Sequence, residues 1–221
     1  MTPDWLLWQI ADSAFPAGGF AHSAGLEAAW QAGQVRDGDS LPEFLAVGLS
    51  AAARGVGIFA AVTARAPQRF GEVDAACDLF LNNHVANRAS VAQGQAFLRV
   101  ANEIFGSAAL ERLGKLVRRE RLFGHYSPVF GACTAALGID PPAACRLFMF
   151  MFLRGLVSSA VRLGIVGPLE GQSLQCRLSP RAEELAGILH AASMEDVVQT
   201  LPLHDLLQGA HDRLYSRLFQ S

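Results

Sequence analysis

Charge is scarce in this 221-residue chain: Asp, Glu, Lys and Arg make up 17%, against 51% hydrophobic residues. That balance excludes a disordered tail or polar linker, which has too little apolar surface to offset the entropy of ordering. A positive surplus is absent as well. The net charge is −2, and general nucleic-acid binding needs a concentrated basic face. No Cys-x-x-Cys links Cys77, Cys133, Cys145 and Cys176, whereas zinc sites usually bring close ligand pairs. The four cysteines read as buried small hydrophobes in a reducing compartment. The most apolar run, Leu147 to Leu153, is soon followed by Arg154 and Arg162, short of the roughly 20 apolar residues of a membrane span. The N-terminus carries no basic n-region or cleavage-site pattern, so no secretory leader is expected. These absences together predict a soluble, cytoplasmic protein with no membrane and no nucleic-acid partner. The small net charge leaves self-association open.

Catalytic signatures are missing too. There is no Gly-x-x-x-x-Gly-Lys-Ser/Thr, no Gly-x-Gly-x-x-Gly after a strand, no His-Glu-x-x-His and no Gly-x-Ser-x-Gly, so nothing points to a P-loop nucleotidase, a dinucleotide enzyme, a zincin or an α/β-hydrolase. The six histidines are scattered. His204 and His211 are read on one final helix, where two turns set them about 10 Å apart, too far for one metal ion. Capping or surface polarity is the simpler reading.

What is present is helical periodicity. Apolar residues recur from Leu41 through Phe44, Leu45, Leu49, Ala52, Val56, Phe59 and Val62 at i, i+3, i+4 spacing, with Ser40 and Glu43 as a capping box and Pro67 as the stop. Further helices are predicted over 72–84, over 88–106, from Ser107 to the basic turn Arg118 to Arg121, and from Pro128 to Leu137. The Asp140-Pro141-Pro142 signal opens a helix to Leu163 that is apolar on nearly every side, hence central. Residues 164–171 read as a connection, Ser179-Pro180 as the start of another helix, and 203–218 as the last. No linker or repeat divides residues 1–221, so one all-α domain of roughly eight or more helices is expected, too many for a four-helix bundle.

Five segments do not fit plain helix. In Phe15-Pro16-Ala17-Gly18-Gly19-Phe20, followed by His22, Ser23 and Glu27, the proline and glycine pair force a loop between apolar stretches; it reads as a tight turn anchored by the two phenylalanines. Arg88, Ser90 and Gln93 lie within one helical turn and read as a polar cluster tying helices together, with His125 and Arg162 assigned to the same structural role. The third segment is His125-Tyr126-Ser127-Pro128-Val129-Phe130-Gly131, a helix entry. The fourth is Ser159-Ala160-Val161-Arg162-Leu163, where Arg162 on a greasy helix needs a partner or a path to solvent. The fifth is the terminus, Tyr215-Ser216-Arg217-Leu218-Phe219-Gln220-Ser221. Its apolar side chains suggest docking, where most chain ends fray.

These segments, in this order, resemble the urease accessory protein F family, along almost the whole chain. The stretches Leu81 to Val85 and Leu163 to Leu169 look closer to plant-like members than to many bacterial ones. The resemblance implies an all-α fold, a homodimer and a non-catalytic chaperone role in metallocentre assembly, with no cofactor of its own. It implies a scaffold that bridges the accessory GTPase and the D/H-type accessory protein, so that GTP hydrolysis is coupled to nickel delivery into the carbamylated-lysine site of apo-urease. The absent P-loop fits a partner that hydrolyses. Two departures stand out: Leu214 occupies a place often polar in relatives, and the N-terminal extension of some relatives is expected to be absent. The expected docking surface joins Phe15, Pro16, Gly18, Gly19, Phe20, His22, Ser23 and Glu27 to Tyr215, Arg217, Leu218 and Phe219. A passing nickel ion would meet His22 or a cysteine, although structural roles weigh more for these. Rival readings are a DNA-binding regulator, for which Arg118 to Arg121 is the one short basic candidate, a small helical metal enzyme, for which no Glu-x-x-His exists, and a helical scaffold with a urease-independent partner.

Overall fold

In the computed structural model, residues 2–16 and 18–220 are described. Among them there are no strands and eleven α-helices: α1 (Pro3–Ala11), α2 (Leu26–Gln31), α3 (Leu41–Arg54), α4 (Val56–Arg65), α5 (Phe70–Phe80), α6 (His84–Phe105), α7 (Ala108–Glu120), α8 (Tyr126–Ala136), α9 (Pro141–Arg162), α10 (Pro168–Ala191) and α11 (Pro202–Gly209). Several starts follow from local chemistry. Asp140 Oδ2 accepts the Ala143 N–H at 3.4 Å, Ser107 Oγ accepts that of Ala109 at 3.2 Å, and Asn83 Oδ1 accepts those of Val85 and Ala86. Each supplies an acceptor to an amide that the helix itself leaves unpaired.

The apolar α9 lies at the centre, covered by α3, α4, α8 and α10. On length and hydropathy alone it qualifies as a membrane span, contrary to the reading from its short fully apolar run. Its burial against four helices makes it a core element here. Phe97, Tyr126, Phe130 and Phe148 stack between α6, α8 and α9 with ring centroids 5.5–6.2 Å apart. A buried ring of this kind stabilises by about 1.5–3 kcal/mol.

Four expectations are corrected. The single helix over 41–62 is two, bent by 43° at Gly55, whose backbone is non-helical and where a Cβ would lie 2.9 Å from the Phe80 ring. Ser40 forms no capping box: its hydroxyl accepts the amides of Arg36 and Asp37 and donates to Asp37, closing the preceding turn instead. Residues 168–171 are not a connection but the start of α10, which runs through Pro180. Proline removes one intrahelical hydrogen bond; the carbonyl it orphans, on Cys176, sits on the exposed face, and that cysteine is exposed, unlike the buried Cys77, Cys133 and Cys145. Burial pushes the Cys145 thiol up to about 11 and the other two buried thiols higher. The last helix ends at Gly209, followed by a 3-10 turn, His211–Arg213. His204 and His211 therefore do not share a helix.

A candidate protein-docking site

Residues 12–16 and 18–25 follow α1 as loop segments braced by local bonds. Asp12 accepts the Ala14 and Phe15 amides through its side chain and carbonyl. Gly18 has φ of 77°, a left-handed conformation that glycine adopts without strain. It opens a 3-10 turn, Gly19–Ala21. Phe15 is half-buried, its ring 5.8 Å from Phe97 and 6.1 Å from Phe105. Phe20 is not an anchor of the same kind: it remains 69% exposed, because its ring lies under the Arg162 guanidinium, 3.6 Å from centroid to Cζ, and not in the core. Ala17 and Ser221, within the motifs at either end of the chain, fall outside the described residues.

Beyond Arg213 the chain turns back onto this loop. Glu27, 2% exposed, accepts the Leu218 amide at 2.6 Å and the Phe219 amide at 3.1 Å, one on each carboxylate oxygen. The Gln220 amide donates to the Ala21 carbonyl at 2.8 Å, and Gln31 Nε2 donates to the Ser216 carbonyl at 2.9 Å. His211 is fully buried, its Nε2 3.3 Å from the Phe219 carbonyl and 3.9 Å from Glu27. Phe219 is buried, and its ring faces the other side of Arg162 at 4.2 Å. The last residue of α9 is thus clasped between two aromatic rings while it donates to the Phe20 carbonyl. Cation–π contacts of this kind contribute about 0.5–1 kcal/mol each at the surface.

Asp212 ties the tail to α6. It takes a two-point ion pair from Arg88 at 2.9 and 3.1 Å and meets His84 at 3.3 Å and Arg217 at 3.4 Å. The adjacent Arg88 guanidinium holds its carboxyl below the usual carboxylate range.

Of the residues singled out in the sequence, Phe20 and Phe219 meet around Arg162, Glu27 holds the Leu218 and Phe219 amides, and Arg217 pairs with Asp212; Phe20, Arg217 and Leu218 are turned to solvent. Tyr215 is fully exposed. Ser23 is buried, and its hydroxyl accepts the Glu27 amide at 3.4 Å. Pro16, Gly18, Gly19 and His22 face a groove of about 950 Å³ that α3, α6, α9, α10 and α11 also line. The five residues read as one polar cluster do not meet as one. Ser90 and His125 do: the buried ring has Nδ1 3.2 Å from Ser90 Oγ and Nε2 3.2 Å from Asp78, while Asp74 accepts the Gly124 and His125 amides. Arg88 instead pairs with Asp212, Arg162 joins the loop to the tail, and Gln93 abuts Gly19. Asp74, Asp78 and Asp212 went unremarked as members of these networks. The signal available was Asp74 and Asp78, two carboxylates four residues apart on one face of a helix rich in apolar residues. Among the described residues no group of three or more His, Cys, Asp or Glu is placed to hold a metal ion.

Burial holds His22 below the ordinary imidazole value of 6.5, helped by the positive charge of Arg88. Burial also lowers His204, which stacks on Phe44 at 5.3 Å and sits 3.0 Å from the Ala24 carbonyl. The unfolded chain therefore takes up protons near pH 6.5 before these folded-state sites do. Stability is expected to fall as the pH drops from about 7 to 5.5. Thermal unfolding across that range checks it, and His204→Asn should flatten part of the slope. A midpoint that is level or rises on acidification would contradict the assignment.

Residues 35–179 match the family model UreF. The chain is 34% identical over 219 residues to the urease accessory protein F of Oryza sativa subsp. indica, spanning 97% of this chain and 84% of that protein. Against the urease accessory protein F of Arabidopsis thaliana the figure is 34% over 222 residues, 98% and 92% of the two chains. The UreF of Rhizobium leguminosarum bv. viciae is 30% identical over 212 residues, 94% and 92%. The loop and the tail both lie outside the residues that the family model matches.

Proposed function

The chain belongs to the urease accessory protein F family, and from that premise we propose that it is a non-catalytic, cytoplasmic scaffold of nickel insertion. It acts as a homodimer that bridges the accessory GTPase and the D/H-type accessory protein. Nickel is the cargo of that assembly, delivered to apo-urease while the GTPase partner hydrolyses.

One observation carries the docking part of this reading. A surface of Phe20, Arg217 and Leu218 faces solvent although every backbone segment that bears it is tied down. An apolar side chain held rigid in water is prepaid for binding: burying the exposed half of Leu218 contributes about 1 kcal/mol without the usual cost of ordering a chain end. Arg217 adds a planar donor fork for a carboxylate or backbone carbonyls of the partner.

The test is urease activity in cells that supply urease, nickel and the other accessory proteins, with and without this chain. Activity that depends on the chain is the expected result. Activity independent of it, with the partners shown to be compatible, would overturn the assembly role. In the same system Arg217→Ala should reduce recovery of the partner complex with the fold intact. Unchanged capture of both partners would move the docking surface elsewhere.

A further inference from the structure

We infer that Glu27 is a positioning residue for partner docking: its buried carboxylate latches the C-terminal tail closed, and only the latched tail presents Arg217 and Leu218 as a surface. The latch is chemically specific. Two consecutive amides, those of Leu218 and Phe219, point at two oxygens of one carboxylate. Both contacts require acceptors. An amide side chain at position 27 offers one oxygen and one NH₂ group, so one backbone N–H would face another donor. The backbone that carries the side chain is itself held, since the Glu27 amide donates to Ser23 Oγ.

His211 closes the other side. Its Nε2 lies 3.3 Å from the Phe219 carbonyl, so an Nε2–H tautomer donates there. Its Nδ1 is buried without a hydrogen-bond partner, and Nε2 also lies 3.9 Å from the Glu27 carboxylate. The Gln220 amide on Ala21 and the Phe219 ring against Arg162 complete the closure. Phe219 faces inward at 4% exposure while its neighbour Leu218 faces outward at 52%. The chain bends at these two residues, which lets two successive amides face one carboxylate while their side chains part. Gripping both amides sets which side chain turns out. Few other contacts hold the tail, so it is a unit that opens without unfolding the helices.

Amide hydrogen exchange on the isolated full-length chain tests the latch without reference to any partner. In Glu27→Gln the Phe219 and Gln220 amides should exchange about tenfold faster or more, with α9 amides unchanged. Because Glu27 is buried, Leu218→Pro serves as the second variant. It deletes one of the two donors from the exposed side and should speed the same two amides with no change in melting temperature. Retained protection in both variants would overturn the latch. The positioning half rests on the docking reading above, and its readout is capture of the D/H-type accessory protein and the GTPase. Glu27→Gln should lose capture, and Glu27→Asp, which keeps both acceptors, should restore part of it; Leu218→Pro, which alters the surface itself, is read by exchange alone. Full capture by a chain whose tail is open would overturn the positioning role and leave the latch standing. Absence of capture by the unaltered chain would overturn the docking reading and this half with it, while the exchange result still decides the latch.

Discussion

Gly131→Ala is expected to remove about 3 kcal/mol or more of stability, a fall of roughly 6–12 °C in melting temperature for a chain of this length. A Cβ at this position would lie 2.0 Å from the Ala60 carbonyl oxygen, 2.2 Å from Thr63 Oγ1 and 2.8 Å from the Ala64 nitrogen. Two of those three are backbone atoms of α4, so no rotamer change can make room. Helices α4 and α8 must separate, and both pack against α9 at the centre of the core. Gly94→Ala should behave alike, because a Cβ there meets the Gly124 oxygen at 2.1 Å and the Tyr126 nitrogen at 2.6 Å. Gly187 in α10 has nothing within 4 Å of its missing Cβ, and Gly187→Ala should gain about 0.5–1 kcal/mol from helix propensity. Thermal or denaturant unfolding of the three variants separates the cases. Equal effects of all three would mean that helix propensity, and not close approach, decides.

Gly94 and Gly131 also mark the boundary of what could be read from the residues. Gly131 closes the third segment and Gly94 follows the Arg88, Ser90 and Gln93 cluster, yet at both the reason for glycine is a close approach of segments distant in sequence. Local chemistry was legible: Asp140 and Ser107 cap the helices they were expected to cap, because a cap and its amide lie within a few residues. Ser40 carried the same local signal and was drawn into the preceding turn by Asp37. Pro180 read as a helix start because a lost hydrogen bond is normally prohibitive inside a helix; an exposed position lowers that penalty, and exposure is a tertiary property. The tail shows the same limit. Periodicity extends a helix to Leu218, but Glu27 takes both tail amides across more than 190 positions of sequence, and no local pattern reports that competition. The segments of the docking site were legible as oddities, and which of them touch was not.

Arg162→Ala is expected to weaken recovery of the partner complex at least about tenfold while the melting temperature moves by no more than about 3 °C. The guanidinium contributes two ring contacts, about 0.5–1 kcal/mol each, and a charge-assisted bond to the Phe20 carbonyl. Two of them fasten the loop and one the tail to the end of α9, and none acts between core helices. Their loss therefore falls on a unit that can open by itself, and a global unfolding midpoint registers little of it. Docking registers all of it, since Phe20 and Leu218 then have to be ordered by the partner at the moment of binding. Arg162→Lys separates charge from shape. It keeps the cation but lacks the flat face that two rings can clasp and the fork that reaches a carbonyl at the same time, so it should recover only part of the binding. If Arg162→Ala instead lowers the melting temperature as far as Gly131→Ala does, the residue closes the protein's own fold and the exposed aromatic surface is a by-product. Preserved binding with an undisturbed midpoint would place the docking surface away from the clasp altogether.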